Sequence, residues 1–247
     1  MTDSIIKKAY DKITSAIRTC FRRFPATVSF VLALTCLLCY YVAVEGEFPD
    51  KKLFIITIYY LSVGALLSLS LHLWSEEVKN KTRKVVVHTV ANVLLLADSI
   101  MLYYLQTDKY NIEIGIAHGA AIFSLWLSLF FLSFFKEKDD IPSWNFAIRG
   151  FKSFIIANIL GGVMCGGISF LVMSLNRLFG IEIPYESYRY VSIFCNLLLV
   201  IMLFIGFLPQ GEAKHDNRPV PGNILTFALR YLFLPLTAGY MAVLYIY

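Results

Sequence analysis

The chain has 247 residues, 58% of them hydrophobic and 16% charged, with a formal net charge of +5. The apolar residues gather into about seven nearly uncharged stretches of roughly 20 residues, the length that crosses a hydrocarbon core, which excludes a soluble globular domain. The stretches lack the period-two alternation of a barrel, and the surplus positive charge sits in short connections between them, so the expected partner is a lipid bilayer and not nucleic acid.

In chain order, residues 1–23 come first and are mostly polar. Ile6, Tyr10, Ile13, Ile17 and Phe21 recur every three or four residues on a basic segment, which predicts a cytoplasmic amphipathic helix lying in the membrane interface. No small-residue cleavage site follows, so the first apolar stretch is an uncleaved anchor. Residues 24–247 are expected to form a seven-helix transmembrane domain. Its spans are Phe24–Val44, Leu53–Trp74, Val85–Gln106, Ile114–Phe135, Phe154–Arg177, Val191–Leu208 and Ile224–Tyr247. The fold class is therefore all-α, a polytopic helical bundle. Pro25 suits a first helical turn. The longest connection ends in an elbow at Ile141-Pro-Ser-Trp, where Pro142 and Ser143 open a helix that continues into the fifth span. Pro235 lies inside the seventh span, where a lost hydrogen bond and a clash with the Tyr231 carbonyl predict a kink. The chain stops at Tyr247 with no polar tail, so it is expected to be the N-terminal part of a longer one.

Orientation follows from the 22 Lys and Arg. All but Lys51, Lys52, Lys109, Arg177 and Arg189 fall on the side of the N-terminus, with alternation at every connection, so the N-terminus is expected to be cytoplasmic. Tyr40, Tyr41, Tyr103, Tyr104, Tyr188 and Tyr190 cluster at the opposite ends of the spans, at headgroup level.

Few polar residues enter the spans. Asp98 is the one acidic residue well inside any of them, and a carboxylate at that depth must face protein or water. His118, on the following span, lies at a similar depth. Asp98 and His118 are the candidate intramembrane polar pair, read either as a proton-sensitive or ion-binding site or as a structural hydrogen bond to a neighbouring His, Tyr, Ser or Asn. His72 and His88 flank one short connection and are expected to meet across it, too poor in ligands for a metal. Cys36 and Cys39 have metal or redox spacing but sit in a span with no second pair, where small apolar packing is the expectation. Asn158, Gly162 and Gly166 form a row at helical spacing in the fifth span, a candidate helix-packing face within the bundle, a dimer face or a hinge.

Nothing matches a nucleophile elbow, a phosphate loop or a zinc-protease helix. No enzyme activity, cofactor or metal is expected. The leading expectation is a non-enzymatic sensing or scaffolding module of a membrane, partnered by the bilayer and by a second copy or another membrane protein. The alternative is a transporter or channel for a small solute or ion, which would need more intramembrane polar groups or broken helices.

The stretches Arg23-Phe-Pro-Ala-Thr-Val-Ser-Phe-Val-Leu-Ala-Leu-Thr and Arg230-Tyr-Leu-Phe-Leu-Pro-Leu-Thr-Ala-Gly-Tyr-Met-Ala-Val-Leu-Tyr resemble the bacterial family of uncharacterised membrane proteins known as domain of unknown function 4153. That resemblance implies a multi-pass protein of the bacterial inner membrane and a chain that continues beyond Tyr247. It implies no activity and no site residues.

Overall fold

The computed structural model describes residues 20–45, 48, 50–105, 112–135, 140–179, 183–211, 214, 215 and 245. These residues form helices and connections, with no strand among them. The helices are α1 (Pro25–Ala43), α2 (Lys51–Glu77), α3 (Lys81–Leu105), α4 (Ile112–Phe131), α5 (Ile141–Phe179) and α6 (Glu186–Phe207). A 3-10 turn, Leu132–Phe134, closes α4, and α6 carries a π-helical stretch over Phe194–Leu199. Six helices are long and apolar enough to cross a membrane. The chain is a multi-pass, all-α membrane bundle. The seventh apolar stretch with Pro235, and residues 1–19 of the amphipathic segment, lie outside the described residues.

Local sequence explains the helix limits. Pro25 occupies the first turn of α1, where its missing N–H costs nothing. Asp50 caps α2, its Oδ1 accepting from the Leu53 N–H at 3.0 Å. Asn80 caps the start of α3, its Oδ1 accepting from the N–H groups of Thr82 and Arg83. Helix α5 is 39 residues long, about 58 Å, and exceeds the hydrocarbon thickness. Its first turns therefore stand outside the bilayer core.

Helix α2 is the hub. It packs on α1, α3 and α4; α4 packs on α5, α5 on α6, and α6 returns to α1. Five helices thus close a ring, and α3 stands outside it, leaning on α2 and burying only Leu95 and Ser99. The best-packed region lies at the end of the bundle carrying the α2–α3 and α4–α5 connections, the basal end. There Cys20, Phe24, Leu69, Leu73, Leu129, Phe130, Phe134, Phe146, Ile205 and Leu208 form one buried cluster. Every helix of the ring contributes to it or enters from it, so this plug fixes where the helices start and stop relative to one another.

No described residue packs on the glycine row of the fifth span. A Cβ built on Gly162 or Gly166 would meet nothing within 4 Å, and Asn158 is exposed, its amide donating to the Phe154 carbonyl of its own helix at 2.8 Å. These three residues do not pack within the described bundle. Gly161 does: a Cβ there would collide with Val200 and approach the Cys195 carbonyl oxygen at 3.0 Å. Of the two residues that Gly161 faces, Cys195 lies within the π-helical stretch and Val200 follows it directly.

Candidate functional site

Three helices converge on Asp98. It lies seven residues before the end of α3, about 10 Å below it. Tyr59 is eight residues into α2 and His118 six into α4, so all three side chains lie about 9–12 Å from the apical ends of their helices. The Tyr59 hydroxyl donates to Asp98 Oδ2 at 2.8 Å. His118 Nε2 lies 3.3 Å from Asp98 Oδ1. The Tyr59 and His118 rings meet edge-on with centroids 5.7 Å apart. The structure thus brings the two candidate residues together and adds Tyr59.

The other nitrogen of His118 decides the chemistry. Nδ1 lies 2.9 Å from the Ile114 carbonyl oxygen, one turn earlier in α4. A carbonyl only accepts, so this contact requires a hydrogen on Nδ1. A neutral imidazole then presents a bare lone pair at Nε2, facing a carboxylate oxygen that is also bare. The 3.3 Å contact becomes attractive when one more proton is present, held by Asp98 as a carboxylic acid or by His118 as an imidazolium. With that proton the Asp98–His118 pair is neutral overall. Without it the pair carries one negative charge inside the membrane. The side chains are 34% (Asp98) and 21% (His118) exposed, so the pair is not sealed within the protein.

This site belongs to a line of polar contacts that sets the antiparallel register of α2 and α3. At the apical end the Tyr103 hydroxyl donates to Asp50 Oδ2 at 3.2 Å. Tyr59 and Asp98 follow one-third of the way down. Near the basal end the rings of His72 and His88 meet, 4.8 Å between centroids, with Phe24 edge-on to His72. Asn92, on the same helix as Asp98, turns its amide to the His88 carbonyl and takes no part in the Asp98 site. Outside the spans, the Leu53 N–H, followed by the Tyr103 hydroxyl and Lys52, holds the Asp50 carboxyl below the usual carboxylate range.

A second constellation at the basal end escaped the sequence reading. Lys214 is an expected loop cation, yet its side chain is 2% exposed. Its ammonium donates to the Leu73 carbonyl at 3.1 Å, Glu76 Oε2 at 3.2 Å and Glu77 Oε1 at 2.7 Å, one partner for each hydrogen. Arg23 grips Glu76 with two nitrogens, at 2.8 and 3.3 Å, and donates to the carbonyls of Leu208 and Pro209. His215 lies 3.2 Å from Glu77. These contacts clamp the starts and ends of α1, α2 and α6 above the buried basal cluster.

Cys36 is exposed and Cys39 half-buried, and both are free thiols. Among the described residues no three His, Cys, Asp or Glu converge as metal ligands. No family model, no curated protein and no solved structure matches this chain.

Proposed function

We propose that this chain is a non-enzymatic sensing module of the bacterial cytoplasmic membrane, with its N-terminus on the cytoplasmic side, and that its sensing element is the proton shared by Asp98 and His118. One observation carries the reading. His118 is committed to a backbone carbonyl through Nδ1, so its contact with Asp98 depends on a single exchangeable proton. The position of the pair gives that proton mechanical consequence. Helix α3 lies outside the ring and has little packing with α4, so the Asp98–His118 contact is a principal tie between them. Loss of the proton turns that tie into repulsion between lone pairs and leaves a charge in a low-dielectric setting. Tyr59 still holds Asp98 to α2, so α3 stays docked on α2 while its tie to α4 is lost.

The test is a distance measurement. Spin labels on exposed positions of α3 and α4, such as Met101 and Ile116, report the separation of the two helices in nanodiscs across a pH series. The separation is expected to rise as pH rises in the wild type. Asp98→Asn presents a hydrogen-bonding amide that does not titrate, so it is expected to hold one distance throughout. An unchanging wild-type distance, or an identical pH response in Asp98→Asn, would remove the proposal.

A further inference from the structure

The α2–α3 seam has a second property, independent of the proton site. Two adjoining cavities of about 370 and 410 Å³ run along it and share Tyr60 and Leu96 as lining residues. Together they form one groove from His88 to Tyr104, 16 residues of α3 or about 24 Å. The groove is not uniform. Its apical half is walled by Leu53, Ile56, Leu96 and Ile100 and is overwhelmingly apolar. Its basal half adds the polar groups of Tyr60, His88, Thr89 and Asn92 beside Val93 and Leu96.

Those polar groups are under-used. The Tyr60 ring packs on Phe30, and its hydroxyl has no hydrogen-bond partner among the described residues. The same holds for the Thr89 hydroxyl and the Asn92 carbonyl oxygen, because the Asn92 amide nitrogen alone is engaged, within its own helix. Unpaired polar groups facing hydrocarbon are costly, and acyl tails offer them nothing. Lys84 and Lys81 continue the His88 face of α3 one and two turns toward the basal end, at half-exposed and exposed positions. The order along the groove is therefore cationic, then hydrogen-bonding, then apolar.

We infer that this groove is a binding site for one anionic phospholipid, its phosphate at Lys81 and Lys84, its glycerol ester region at Tyr60, Thr89 and Asn92, and one acyl chain along Leu96 and Ile100. Each zone of the lipid meets the chemistry it requires. The charge assigns an anionic headgroup in preference to a zwitterionic one, and the apolar half assigns a lipid in preference to free phosphate.

The experiment is native mass spectrometry of the intact protein in detergent, titrated with dioleoyl phosphatidylglycerol or dioleoyl phosphatidylcholine. The first phosphatidylglycerol is expected to bind about tenfold more tightly than the first phosphatidylcholine, as two lysines near an anionic headgroup provide. Lys81→Gln with Lys84→Gln should erase that preference and leave the melting temperature unchanged, since both side chains reach solvent. Leu96→Trp, which places an indole in the groove, should abolish the tight first binding event. Inorganic phosphate should not displace the lipid. Equal binding of the two lipids to the wild type would overturn the assignment. So would a preference that survives the double lysine change, tight binding that survives Leu96→Trp, or displacement by phosphate.

Discussion

Gly161→Ala is the sharpest test of how α5 and α6 are held. The added methyl would collide with Val200 and sit 3.0 Å from the Cys195 carbonyl oxygen. Neither neighbour yields easily. Val200 is β-branched and 6% exposed, and the carbonyl belongs to backbone already displaced into the π-helical stretch. Overpacking of this kind costs about 1–3 kcal/mol. Against it stands a gain of about 1 kcal/mol when alanine replaces glycine inside a helix. The net expectation is a loss of about 0–2 kcal/mol relative to wild type, and of about 1–3 kcal/mol relative to Gly162→Ala, which makes the same helix gain. Gly162→Ala and Gly166→Ala collect the helix gain with no collision against the described bundle, because none of its other residues would lie within 4 Å of the added methyl. The assay is SDS-titrated unfolding in mixed micelles followed by tryptophan fluorescence. Val200→Ala supplies a double-mutant cycle: it should relieve most of the Gly161→Ala loss and leave the Gly162→Ala value untouched. If Gly161→Ala is as stable as Gly162→Ala, or if Val200→Ala gives no relief, the helices do not cross at Gly161. A large loss in Gly162→Ala or Gly166→Ala would restore that row as a packing face.

The basal clamp makes a different prediction. Lys214→Met keeps the stem but strips Glu76 and Glu77 of their shared partner, and should cost about 2–3 kcal/mol in the same assay, less than a fully buried pair because both carboxylates are part-exposed; an unchanged midpoint would mean that the clamp does not hold. The cap at Asp50 should be visible in acid. Its carboxyl is held below the usual range by the Leu53 N–H first of all, so its contribution is fully present above the ordinary carboxylate pKa and is lost as pH falls through the lowered folded value. Asp50→Asn should flatten that part of the pH–stability curve and change little near neutrality, whereas an unaltered acid limb would assign the effect elsewhere. Orientation is open to labelling with an impermeant thiol reagent after the native cysteines are replaced: Lys51→Cys and Tyr185→Cys should react in intact cells, and Lys79→Cys only after permeabilisation. The reverse pattern would invert the bundle.

Hydropathy made the spans legible because lipid imposes one requirement on every span at once. The first stretch, Phe24–Val44, differs from α1 by one residue at each end, since Pro25 marks the turn. The fifth apolar stretch starts at Phe154, and the helix that Pro142 and Ser143 open runs into it from Ile141, as expected from the elbow. Asn145, Arg149 and Lys152 end a hydrophobic stretch without ending a helix, so hydropathy reports the embedded part alone. Periodicity placed Asn158, Gly162 and Gly166 on one row but contains nothing about which row meets a neighbour. Gly161, about 100° away around the helix, has the close contact. Depth arguments paired Asp98 with His118, because both are measured from the same membrane face. Tyr59 was hidden among the many aromatics, and its sequence signal was a Tyr well inside a span and away from the headgroup level that Tyr prefers. Lys214 was unreadable as a buried residue. Its burial depends on Glu76 and Glu77, which are remote in sequence and reach it only through the closed ring.

The shared proton is the centre of this account, and nitrogen-15 NMR of labelled histidine observes it directly. His118→Gln assigns the His118 signals among the four histidines. Nδ1 of His118 is expected to stay protonated throughout, bound to the Ile114 carbonyl. The Nε2 signal is expected to shift with pH in step with the separation of α3 and α4, and Asp98→Asn to uncouple the two. A His118 that is protonated on Nε2 and bare on Nδ1 at neutral pH, or an Nε2 signal indifferent to Asp98→Asn, would contradict the shared proton.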